Sequence, residues 1–172
     1  MNAARTTRPG FLKRIFSRKD SHALIPLYNA VVAEGRQPHW YRQGAVPDTI
    51  DGRFDMIALV LSLVLIRLER DGHEADAVRL TEVFVDDMDG QVREIGFGDL
   101  VVGKQVGRIM SALGGRLGAY RDRFDEHALI RNVYRGAEPA PAALAHLRGE
   151  ADALRARIDA APLDALLAGR LG

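Results

Sequence analysis

The chain has 172 residues, no cysteine and a formal net charge of +1. That length fits one domain able to bury a real core, and the missing thiols exclude disulfides and thiolate-bound metals and suit a reducing compartment. Residues 1–19 hold six bases and no acid, which leaves 18 bases against 23 acids in the remainder; a mildly acidic body is not the charge pattern of a domain that binds nucleic acid by sequence.

Residues 1–20 read as a basic tail without a core of its own. Within it, Phe11, Leu12, Ile15 and Phe16 share one helical face, while Lys13, Arg14, Arg18 and Lys19 supply charge. This is the pattern of a short interfacial helix for an anionic membrane surface. A frayed tail or an organelle presequence has the same composition. A secretory signal is not expected, because no apolar core of 7–15 residues and no cleavage site follow.

A helical domain is expected over residues 21–136. Its first helix is expected to start at Ser21 as N-cap, to carry Leu24, Leu27, Tyr28, Val31 and Val32, and to end at Gly35. Residues 37–47 read as a loop whose His39, Trp40 and Tyr41 close one end of the domain or form a binding edge. Pro47-Asp48-Thr49 then starts the helix that organises the chain. From Phe54 to Leu68 only Asp55, Ser62 and Arg67 interrupt an apolar run. A helix apolar on nearly every side must be surrounded, yet the run is shorter than the roughly 20 residues of a membrane span and is closed by charge at both ends. The fold class is therefore all-α, a single-domain bundle around a buried central helix at about 54–68.

After Asp71-Gly72, residues 74–95 form a helix with a stripe of Val78, Phe84, Val85, Met88, Val92 and Ile95. Gly96-Phe97-Gly98 breaks it, and Asp99 caps the next helix, whose stripe is Val102, Val106, Ile109, Met110, Leu113, Leu117 and Tyr120. That helix also holds Gly103, Gly107, Gly114, Gly115 and Gly118, each costing about 1 kcal/mol relative to Ala. Pairs four residues apart give a flat strip for another helix, either the central helix or a helix of a client. Asp125 opens a shorter helix with Leu129, Ile130, Val133 and Tyr134. Residues 137–172 read as an Ala-rich helical extension with a seam at Leu144, Leu147, Ala151, Leu154 and Ile158. It is expected to add little core and either to lie across the bundle or to pair with another chain.

No catalytic, cofactor or metal site is expected. Gly98-Asp99-Leu100-Val101-Val102-Gly103-Lys104 fits a phosphate-loop pattern, but Gln105 stands where a hydroxyl must ligate magnesium, and no strand precedes it. A calcium loop through Asp87 and Asp89 fails at both end positions, Val85 and Gly96. The five histidines never fall four apart, and no serine has a nucleophile-elbow context.

The run from Phe84 to Lys104, with Arg93-Glu94-Ile95-Gly96-Phe97-Gly98-Asp99-Leu100-Val101-Val102-Gly103-Lys104 at its heart, resembles the ubiquinol–cytochrome c chaperone family. Val46 to Phe54, Leu27-Tyr28, Gly115-Arg116 and Tyr120 extend the similarity over about Leu27–Tyr120. Val83-Phe84-Val85 and Leu113-Gly114 depart from the family's aromatic positions, and Leu61 lies near a position often held by His. The resemblance implies a non-catalytic protein that holds newly made cytochrome b, or another bc-complex subunit, with a ribosome or a second assembly factor as further partners. It implies a cytoplasmic protein, peripheral on the inner face of the membrane. The candidate client-binding residues are Asp86, Asp89, Arg93, Glu94, Phe97, Asp99, Lys104, Gly107 and Arg116. A second reading, from another class, is a lipid- or quinone-binding carrier whose cavity would be lined by Trp40, Tyr41, Met110 and Tyr120.

Overall fold

The central helix, α3 (Ile50–Arg70), leaves none of its residues from Met56 to Leu65 more than 5% exposed. The computed structural model describes residues 22–94 and 99–172, with side chains described outside 91–102. Its other helices are α1 (Ile25–Gly35), α2 (Pro38–Arg42), α4 (Glu74–Glu94), α5 (Asp99–Asp122), α6 (Glu126–Val133), α7 (Pro141–Ala160) and α8 (Leu163–Leu167). No strand occurs among the described residues. Helices α1, α4, α5, α6 and α7 all pack on α3, as a helix without a polar face requires.

Thr49 caps α3 by accepting from the Gly52 amide at 3.1 Å. Gly52 is obligatory there, since a Cβ would stand 1.9 Å from the Pro47 carbonyl oxygen. Each polar interruption of α3 has a partner. The Ser62 hydroxyl donates to the Ala58 carbonyl at 2.6 Å. Arg67 donates to the carbonyls of Ile158 and Asp159, both at 2.6 Å. Those carbonyls are among the orphan acceptors of the α7 C-terminus, where a cation is favoured. Asp55 is paired with two arginines, described below.

Helix α1 starts at Ile25, with Pro26 in its first turn and no side-chain cap at Leu24. The expected N-cap, Ser21, lies outside the described residues. Gly35 lets α1 touch α3, because a Cβ there would meet Ile57 backbone at 3.0 Å. The expected aromatic loop contains the short helix α2. Trp40 is fully buried and donates to the Glu34 carbonyl at 2.8 Å, while Tyr41 donates to that of Gly35 at 2.7 Å. The rings thus close the bundle end and satisfy the terminal carbonyls of α1.

The C-terminal extension lies across the bundle. Leu147, Ala151, Leu154, Ile158 and Leu166 are each at most 1% exposed and share one core with α3. Its contribution to the core is therefore larger than its alanine content implies, because Leu147, Leu154, Ile158 and Leu166 all face inwards.

Candidate functional site

Between α4 and α5 the surface opens into a groove of about 610 Å³. Leu65 of α3, Ala77, Val78 and Val85 of α4, and Met110 and Leu117 of α5 form its apolar lining. Val78 is 58% exposed and Met110 36%. Both were expected on core stripes, and the structure turns both outwards. The core stripe of α4 runs instead through Ala77, Leu80, Phe84 and Met88. Val78 and Val85, seven apart, lie beside that stripe, on apolar helix surface wider than α1 and α3 cover.

Glu69, Glu74, Glu82 and Asp86 stand around this lining, and its described residues include no base. Glu69 accepts from Arg121 at 2.6 Å. Glu74 and Asp86 are exposed.

Gly103, Gly107, Gly114 and Gly118 share α5 with the groove-lining Met110 and Leu117. At 3.6 residues per turn they fall with Met110 and Leu117 within an arc of about 100°. Among the described residues, nothing lies within 4 Å of the Cβ that each glycine would carry. Close packing of this strip against α3, the expectation favoured by its spacing, does not occur. The helix carries the cost of these glycines on a face left open.

The bundle also holds an ion cluster that no spacing in the sequence announces. Asp55 is fully buried. Its Oδ1 accepts from Arg116 Nη2 at 2.5 Å and its Oδ2 from Arg135 Nε at 2.8 Å. Arg135 also reaches Asp51 at 2.8 Å. Arg116 lies over the Phe54 ring at 5.4 Å. The cluster joins α3 to α5 and to the turn after α6. Tyr120 is buried in the same region, and burial raises its phenol well above the ordinary value. Burial likewise pushes Tyr134 up to about 12, and its hydroxyl donates to the Gly44 carbonyl at 2.6 Å. Both phenols stay protonated at neutral pH.

The predicted site residues separate accordingly. Asp86 stands on the groove rim, Asp89 one turn further along α4, and Lys104 and Gly107 are exposed on α5. Arg116 faces inwards to Asp55, with its side chain 13% exposed. Arg93, Glu94 and Asp99 belong to α4 and α5, but their side chains lie outside the described residues, as does the whole of Phe97. The membrane-surface candidates from Phe11 to Lys19 also lie outside them. Of the residues proposed for a carrier cavity, only Met110 lines the groove; Trp40 and Tyr41 bond to α1, and Tyr120 packs edge-on against Phe124.

One further pair escaped sequence reading. His39 of α2 and His146 of α7, 107 residues apart, place Nδ1 and Nε2 at 3.2 Å. Desolvation lowers the His39 pKa below its ordinary value. Among the described residues no three His, Asp or Glu side chains are grouped to hold a metal.

An all-α bundle whose buried charges join helix to helix, with an open apolar groove between two of them, defines a helical scaffold with a candidate binding face. Among proteins of that class, the model of the ubiquinol–cytochrome c chaperones matches residues 42–171. The crystal structure of the Cbp3 homolog from Brucella abortus is similar at 30% identity and a TM-score of 0.73, over 92% of this chain and 94% of that one. No curated protein matches the chain significantly. The chain belongs to the ubiquinol–cytochrome c chaperone family. The match runs through α7 and α8, so the C-terminal helices are part of what the family shares.

Proposed function

We propose that the protein is a non-catalytic assembly chaperone that holds newly made cytochrome b, and that the α4–α5 groove is where a client helix seats. Family membership supports the chaperone role, and the exposed, apolar Val78 and Met110 between acidic side chains carry the choice of site. Helices of membrane subunits are apolar, and their cytoplasmic ends are rich in Lys and Arg. Such a segment matches the groove in both respects: its side chains cover Leu65, Val78, Val85 and Met110, and its bases face Glu74, Glu82 and Asp86. The open glycine strip allows its backbone to approach α5 closely. Each apolar side chain fully covered contributes about 1.5–3 kcal/mol, enough for a grip that is firm yet reversible.

The test is complementation of a deletion strain with the Val78→Asp, Met110→Asp variant. Mature cytochrome b should fall to the level of the deletion, with its transcript unchanged and the variant folded. Normal cytochrome b in that strain contradicts the proposal.

A further inference from the structure

We infer that residues 11–19 dock in the α4–α5 groove and compete with the client for it; this rests on the groove being the client site. Three observations carry the inference. Phe11, Leu12, Ile15 and Phe16 offer large apolar side chains at helical spacing, and the groove, of about 610 Å³, offers an apolar lining in which Val78 and Met110 are exposed. The same nine residues carry four bases (Lys13, Arg14, Arg18 and Lys19) and no acid, whereas the described lining holds four carboxylates and no base. Reach is sufficient as well. Tyr28 donates to Asp87 at 2.7 Å, which fixes the first half of α1 beside the part of α4 that carries Asp86. Phe16 precedes His22 by six residues, a span of up to about 20 Å when extended, against a helix diameter of about 10 Å.

Docking of the tail makes the groove self-covering, so that an apolar face is not left to water between clients. A client helix then binds by displacement, and its apparent affinity is lowered by the fraction of chains whose groove is covered. The attraction between the basic segment and the acidic rim weakens with salt, since screening shortens to about 3 Å at 1 M.

The absence of native cysteine makes the test direct in the full chain. Under mild oxidation, Ile15→Cys with Val78→Cys should form an intramolecular disulfide at least tenfold faster than Ile15→Cys with Ala153→Cys, an exposed position on α7. Adding Glu74→Gln and Asp86→Asn, or 1 M salt, should remove most of that difference. Equal rates for the two pairs overturn the inference. So does a concentration-dependent disulfide dimer, which would assign the groove to the tail of a second copy. Sedimentation with anionic vesicles together with equal rates overturns it too, and assigns the segment to the membrane surface. None of these outcomes touches the client reading, which is tested separately by complementation and by client cross-links to the groove.

Discussion

The Arg116 guanidinium on α5 bonds the fully buried carboxylate of Asp55 at the start of the apolar stretch of α3, 2.5 Å away. Arg135 completes the coordination from the far side, so the one acid inside the central helix joins three parts of the chain. Removing it leaves two cations facing a site built for a carboxylate. Breaking a buried ion pair from one side costs about 3–5 kcal/mol. Asp55→Ala should therefore lower the unfolding free energy by about that amount in urea titrations followed by circular dichroism. A loss below about 1 kcal/mol would show that the cluster does not brace the bundle.

The glycine strip separates stability from function. Gly107→Ala and Gly114→Ala place a methyl group where none of the described residues stands within 4 Å, in a helix interior where Ala is favoured over Gly by about 1 kcal/mol. Each should raise stability by up to about that much. Gly107→Leu should fold equally well and lose client binding, because the added side chain holds a docked helix away. If Gly107→Leu retains full binding, the client does not cross this strip.

Core and groove positions of α4 should respond oppositely to truncation. Leu80→Ala removes a fully buried side chain and should cost about 2–5 kcal/mol. Val78→Ser, at a position 58% exposed, should change stability by no more than about 0.5 kcal/mol. Denaturation midpoints of the two variants check the difference directly.

Much of this was legible in the residues, and the remainder was not, for a physical reason in each case. A run apolar on all sides can only be a core helix, so α3 and its neighbours follow from Phe54 to Leu68. The all-helical class and the family resemblance follow likewise from residues alone. Val78 and Met110 misled, since an apolar residue on a helical stripe looks the same whether a neighbour covers it or not. The glycine spacing showed a flat face but not what lies against it. Asp55 with Arg116 and His39 with His146 are 61 and 107 residues apart, and no local pattern encodes such pairs.

The His39–His146 contact gives a pH dependence with a definite sign. Desolvation is the first cause of the lowered His39 pKa, with Glu150 and Glu34 opposing it and His146 and Arg157 reinforcing it. The unfolded chain thus takes up a proton near pH 6.5 that the folded chain resists. Stability contributed at neutral pH is lost as pH falls below about 6.5. His39→Asn should flatten the stability profile between pH 5 and 7, measured as urea midpoints; an unchanged slope would show that another group is responsible.

The account stands or falls on where the client touches the chaperone. Photocrosslinking side chains at positions 78, 107 and 110, placed one at a time and activated during cytochrome b synthesis, test this most directly. Adducts with nascent cytochrome b at these three positions, and none from position 153 on α7, are the predicted result. Adducts at position 153 with none at 78, 107 or 110 would contradict it.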